Sequence, residues 1–203
     1  MVKIGVLVSG GGTNLQALID AQKSGIIKSG EIVCVVSNKP DVYALERAKK
    51  ANIEGCVIKK SDYVTPADFD KAIADYMLSK GVDVIVMAGF LAIVGENLLS
   101  AYKDRIINIH PSLIPSFCGE GFYGLKVHEK ALEYGVKVTG ATVHFVNEIP
   151  DGGKIIAQKA VYIEEGDTAE ILQKRVMEQA EWIILPEAVE MVCCKLKGDK
   201  NNG

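Results

Sequence analysis

No apolar run in this 203-residue chain approaches the roughly 20 residues that a bilayer span needs. The opening stretch "IGVLV" is also too short for the core of a secretory signal, so a soluble, cytoplasmic protein without a membrane partner is expected. The 23 Lys and Arg against 26 Asp and Glu leave a net charge of −3 with the signs intermingled. A broad basic field of the kind that nonspecific nucleic-acid binding requires is missing. Any anion site must be local. Histidines number three, without clustered ligand spacing, and no metal site is expected. The five cysteines include no CxxC pair and would leave one thiol over, which argues against a disulfide frame or a zinc site. Internal repeats and low-complexity linkers are lacking, and only "KLKGDKNNG", from Lys195, is polar enough to fray.

Hydrophobic residues make up 48% of the chain, enough to bury one large core, and a single domain over 1–203 is the simplest organisation. "KIGVLVSG", "EIVCVVSN", "GCVIKK", "VDVIVMAG" and "RIINIHPS" are short, mostly β-branched runs closed by turn-forming or polar residues. They suit strands buried on both faces. Between them, 14–23, 43–51, 66–80 and 95–102 carry apolar residues at helical spacing. The alternation predicts an α/β fold with one doubly wound, mostly parallel sheet flanked by helices. After Pro111 the pattern changes: "VTGATVHFV" and "GGKIIAQKAVYI" are separated only by "NEIPDGG". That leaves no room for a crossover helix and predicts an antiparallel edge hairpin. A long helix from about Thr168 to Val192, with Asp167 and Thr168 as capping residues, closes the chain. Its stripe of Ile171, Leu172, Val176, Ile183 and Leu185, together with Trp182, reads as core packing.

Ligands of open α/β sheets sit beyond the carboxyl ends of the strands. At the first such end, "VLVSGGGTNLQALI" runs through Gly10, Gly11 and Gly12 into a helix whose first turn holds Thr13 and Asn14. Glycines let backbone approach an anion, and the free amides of a helix start point at it. A third glycine of the dinucleotide fingerprint is replaced by Leu15, and no Gly-Lys-Ser/Thr follows. A single phosphate is therefore the fitting ligand, and a plain strand-to-helix turn the alternative. At another strand end, "NIHPSLIP" puts Asn108 and His110 on one face. An amide can donate to a developing oxyanion while an imidazole exchanges a proton near neutral pH, a combination suited to acyl transfer. Asp151, in the Gly-flanked turn between the late strands, would orient His110 and favour its protonated form if it lay beside it. Asp-Gly turns are also ordinary punctuation. His144 in "TVHFV" reads as a hydrogen-bonded strand residue.

Taken in order, "VLVSGGGTNLQALIDA", "VSNKPDVYALERA", "MAGFLAIV", "NIHPSLIPSF", "TGATVHFVNEIPDGG" and "EGDTAEILQKRV" cover nearly the whole chain. Together they resemble the formyltetrahydrofolate-dependent transferases, most closely the phosphoribosylglycinamide formyltransferases. The resemblance implies formyl transfer from 10-formyltetrahydrofolate to the amine of glycinamide ribonucleotide, in purine biosynthesis. It implies that Asn108, His110 and Asp151 are catalytic. It further implies that Gly11, Gly12, Thr13, Asn14, Pro111 and Glu181 contact the ribonucleotide. Phe90, Leu91, Ala92, Ile93 and Val94, with Val146, Asn147 and Glu148, would line the folate pocket. Oligomeric state is not implied. The Asn-x-His and Asp-Gly-Gly elements are shared with methionyl-tRNA formyltransferases and a formyl-folate hydrolase, which normally carry a further domain; the length here favours the ribonucleotide enzymes. Four departures stand out. Relatives commonly have Arg where this chain has Ala92, and often Arg where it has Pro66. The loop "SFCGEGFYGLKVH" is longer than usual, with Lys126 at a frequent His position and His128 matching the next. Matching Glu181 takes a one-residue insertion.

Overall fold

The computed structural model describes residues 1–201. Seven strands form one sheet in the order β3-β2-β1-β4-β5-β6-β7. They are β1 (Val2–Val8), β2 (Gly30–Ser37), β3 (Glu54–Val57), β4 (Val84–Met87), β5 (Ile106–His110), β6 (Val138–Phe145) and β7 (Ile155–Tyr162). The first five pair in parallel, whereas β6 and β7 are antiparallel and form the expected edge. The helices are α1 (Thr13–Ser24), α2 (Tyr43–Lys50), α3 (Pro66–Ser79), α4 (Glu96–Ala101), α5 (Leu125–Tyr134), α6 (Ala169–Val176) and α7 (Trp182–Asn201). Strand alternation divides the core: Val6 and Val8 of β1, with Ile107 and Ile109 of β5, pack on the α1 and α7 side. Leu7, Ile85 and Ile106 pack with Phe69, Ile73 and Leu98 of α3 and α4 on the other.

Chain order reverses direction across the sheet between β1 and β4, so a crevice opens where the connections leave in opposite senses. The segment leaving β4 is tied down on both sides of that crevice. Ser9 donates its backbone N–H to Gly89 O (3.1 Å) and accepts at Oγ from Leu91 N–H (2.9 Å). Buried Asp70 of α3 accepts from Gly95 N–H (2.7 Å) and Leu98 N–H (3.0 Å), serving the otherwise open start of α4. Thr65 and Asp68 form a capping box at the start of α3, with Pro66 at its first position.

Three expectations needed correction. Residues 125–134 form α5, for which no helix was anticipated; the glycines at 119, 121 and 124 all take positive φ before it. The terminal helix begins as expected, with Thr168 Oγ1 accepting from Ile171 N–H (3.4 Å). A π-helical turn at Met177–Glu181 then interrupts it. One extra residue per turn shifts the helical phase. Hence Ile184 and Leu185 face the core while Ile183 is exposed; Ile171, ahead of that turn, is exposed as well. The stretch from Lys195, expected to fray, is helical as far as Asn201, and its last two residues lie outside the described residues. All five cysteines are free thiols.

Replacing Asp70 with Ala should destabilise the protein by about 2 kcal/mol, because the buried Leu98 amide and the half-buried Gly95 amide lose their acceptor. Urea unfolding measures this; a loss below about 0.5 kcal/mol would mean that water replaces the carboxylate.

Candidate active site

Asn108 and His110 end β5 on the same face, and β6 lies antiparallel beside them with Asn108 opposite His144 and His110 opposite Thr142. Thr142 secures the outgoing loop, donating to Ser112 O (2.7 Å) while its Oγ1 accepts from Ile114 N–H (3.1 Å). The β6–β7 turn then delivers Asp151. Asp151 itself has φ +55°, a left-handed conformation that Asp tolerates better than most side chains. Two residues on, a Cβ at Gly153 would lie 1.7 Å from Phe145 O. The Asp-Gly-Gly sequence thus lets this turn close tightly against the end of β6.

The result is a cluster of four polar side chains. His110 Nδ1 lies 3.4 Å from Asp151 Oδ2, and His144 Nε2 lies 3.5 Å from Asp151 Oδ1. His144 Nε2 is also 3.2 Å from Asn108 Nδ2. Carbonyl oxygens only accept, so His144 Nδ1–H donates to Phe145 O (2.8 Å) and His110 Nε2–H donates to Phe117 O (2.9 Å). Gly119 N–H donates to Asp151 Oδ2 (2.8 Å). The long 116–124 loop therefore grips both members of the His110–Asp151 pair. His144 is the hydrogen-bonded strand residue that its sequence indicated, and it also stands inside the site, which was not foreseen. Its signal was the even spacing of Thr142 and His144 along β6, readable only once β6 is paired with β5.

Burial pushes the His110 imidazole below its ordinary pKa, against the opposing pull of Asp151 and the Phe117 carbonyl. Asp151 thus favours the protonated imidazole, as expected, but desolvation outweighs it. Burial alone would raise Asp151, yet the adjacent His144 and His110 rings and the Gly119 amide outweigh it and hold the carboxyl below its usual range. Glu181 shifts the other way, raised by burial despite the 2.6 Å hydrogen bond from Asn14 Nδ2. It sits at the end of the π-helical turn.

A cavity of about 520 Å³ joins these groups. Asn14, Glu181, Asn108, His110, Pro111, His144 and Asp151 line it, as do Phe90 to Val94 and Val146, Asn147 and Glu148. Gly11, Gly12 and Thr13 do not. They form the turn beside it, with Gly12 at φ +72° and its missing Cβ only 2.7 Å from Ala44 Cβ. Arg47 Nε donates to Gly11 O (2.9 Å) and braces that turn. Gly10 and Gly11 are exposed, leaving their backbone open to a ligand. No group of His, Cys, Asp and Glu suited to a metal occurs among the described residues. Nor is any helix there long and apolar enough to cross a membrane.

The formyl transferase family matches residues 2–189 of this chain. The chain belongs to that family. It is 43% identical over 190 residues to phosphoribosylglycinamide formyltransferase of Haemophilus influenzae, covering 94% of this chain and 86% of that protein. It is 44% identical to the trifunctional purine biosynthetic protein adenosine-3 of Chironomus tentans, where 94% of this chain spans 14% of the larger protein. Glycinamide ribonucleotide transformylase 1 from Symbiobacterium toebii superposes with a TM-score of 0.90 at 43% identity, covering 95% of this chain and 88% of that one.

His128 on α5 generates a prediction of its own. It is fully buried, neither ring nitrogen has a hydrogen-bond partner, and burial with nearby His110 pushes its pKa down to about 4 from 6.5. The unfolded chain takes up this proton below pH 6.5 and the folded chain only near 4. The associated stability is complete above 6.5 and is lost as pH falls toward 4, by about 3 kcal/mol. Unfolding free energy against pH should show this slope in the parent and lack it in His128→Leu. An unaltered slope in the variant would assign it to another group.

Proposed function

We propose that this chain transfers the formyl group of 10-formyltetrahydrofolate to the primary amine of glycinamide ribonucleotide, giving formylglycinamide ribonucleotide in de novo purine synthesis. The observation that carries this reading is the meeting of Asn108, His110 and Asp151 at one cavity in a member of the formyl transferase family. Residues 1–203 act as a single formyltransferase domain. The ribonucleotide phosphate rests on the open amides of Gly11 to Asn14, where the start of α1 favours an anion. Asn14 and Glu181 hold the acceptor between that turn and the catalytic cluster, beside Pro111. Phe90 to Val94 and Val146 to Glu148 receive the folate ring system.

The amine nitrogen attacks the formyl carbon, and the carbonyl oxygen gains negative charge in the tetrahedral intermediate. The Asn108 amide carries two hydrogens and donates one to that oxygen. Neutral His110, its Nε2–H fixed on Phe117 O and its Nδ1 3.4 Å from Asp151 Oδ2, forms with that carboxylate the pair that takes up the proton the attacking nitrogen sheds. Ionised Asp151 stabilises the imidazolium as it forms. The proton then passes to the folate nitrogen as the carbon–nitrogen bond to the donor breaks, leaving tetrahydrofolate and the formylated amine. Both substrates held across the strand ends react as if in one molecule, which is worth several kcal/mol.

The test is an assay with glycinamide ribonucleotide and 10-formyltetrahydrofolate, run beside a control without acceptor. Transfer exceeding hydrolysis is expected, and hydrolysis alone would overturn the assigned acceptor. In His110→Ala, kcat should fall at least about 100-fold with the fold retained; near-normal turnover would remove His110 from the reaction. Gly153→Ala removes no reacting group yet drives a Cβ into Phe145 O, so kcat should drop at least about tenfold through displacement of Asp151. Unchanged kcat in a folded variant would show that Asp151 need not sit where the turn puts it.

A further inference from the structure

In the turn that the proposed function gives to the phosphate, the carbonyls of Gly10, Gly11 and Gly12 are all tied to protein. Ala44 N–H donates to Gly10 O (3.2 Å), Arg47 Nε–H to Gly11 O (2.9 Å) and Gln16 N–H to Gly12 O (2.9 Å). In a trans peptide the carbonyl and the N–H of the next residue point in opposite directions. Holding these oxygens against α1 and α2 therefore aims the amides of Gly11, Gly12 and Thr13 the other way. None of the amides from Gly10 to Leu15 donates to a backbone acceptor among the described residues. Two of the three ties come from backbone amides. The third, from Arg47, carries a charge.

Arg47 is itself pinned. Its Nη1–H donates to Gln16 Oε1 (3.0 Å), Gln16 Nε2–H donates in turn to Asp20 Oδ1 (2.9 Å), and the guanidinium carbon stands 4.8 Å from the centroid of the Tyr43 ring. Both acceptors of Arg47 are neutral, so no carboxylate cancels its charge there. Buried Ala44 packs directly beneath Gly12 and sets how closely α2 approaches the turn. A cation bonded to a carbonyl polarises that peptide and strengthens what its N–H offers an anion. Arg47 does not line the cavity that holds the catalytic cluster. Resting on the proposed reaction, we infer that Arg47 is a positioning residue for the ribonucleotide phosphate. Without touching the phosphate, it fixes the Gly11–Gly12 peptide so that the Gly12 N–H faces the anion, and it places positive charge behind that amide. Its effect is confined to recognition of a phosphate monoester and leaves formyl transfer and donor binding alone.

The experiment compares the parent with Arg47→Met, which keeps an unbranched side chain and loses the charge and both donors. Calorimetry reads the Kd of ribose 5-phosphate, and steady-state kinetics read KM for glycinamide ribonucleotide and for 10-formyltetrahydrofolate. Ribose 5-phosphate carries neither the acceptor amine nor a formyl group. A parent that binds it yet fails to formylate glycinamide ribonucleotide would therefore defeat the acceptor assignment and leave this inference standing. In Arg47→Met, that Kd and the KM for glycinamide ribonucleotide should rise at least about tenfold, as for one lost charge-assisted hydrogen bond. The donor KM should stay within about twofold and kcat within about threefold. Arg47→Lys, which retains a charged donor without the planar fork, should recover part of the affinity. Gln16→Leu, which frees one end of the guanidinium, should weaken ribose 5-phosphate at least about threefold, and it decides the matter if Arg47→Met does not fold. An unchanged Kd in the deciding variant would overturn the inference. Equal losses in donor KM, or a loss in kcat alone, would overturn it by marking a general structural role. Failure of the parent to bind ribose 5-phosphate would do the same.

Discussion

The antiparallel register of β5 against β6 is the constraint on which the site rests. Asn108 faces His144 and His110 faces Thr142, so the polar residues of two strands converge on one side of the sheet. A one-residue slip would turn His144 toward the opposite face and carry the β6–β7 turn, with Asp151, out of place. Thr142 anchors the loop leaving β5 with hydrogen bonds to Ser112 and Ile114. The same side chain accepts from Gln158 of β7 at 3.0 Å. Loop, hairpin and strand end are thereby fixed together.

Within that frame, the chemistry depends on a contest between burial and charge. Desolvation holds His110 neutral, and a neutral imidazole is the form able to accept a proton. Asp151 stays ionised because its partners outweigh its burial. The pair is poised so that charge appears on His110 only when the reaction produces a proton, with both nitrogens already facing acceptors. Glu181 illustrates the opposite balance: with one amide donor and almost complete burial, its carboxyl is raised.

Much of this was legible in the sequence, because the informative signals were local. β-Branched runs alternating with helical spacing gave the parallel sheet, and the short "NEIPDGG" connection gave the hairpin. Period-two alternation put Asn108 and His110 together. What escaped depended on contacts between segments distant along the chain. His144 joins the site only through strand pairing, and the hold of the 116–124 loop on His110 runs through a backbone carbonyl, which carries no side-chain signature. The π-helical turn shifted the phase of the residues after it and turned Ile183 outward, which a strict helical period could not register. The pull of Asp151 on His110 was foreseen, but sequence does not reveal how deeply both are buried, and so not the desolvation that outweighs it.

The central claim is that Asp151 lies against a buried His110 whose desolvation prevails. Titrating His110 by NMR in the parent chain and in Asp151→Asn tests it most directly. The account predicts a pKa below 6.5 in the parent and a further decrease in the variant, where the favourable carboxylate is gone. A parent value above 6.5, or one that the substitution leaves unmoved, would contradict it.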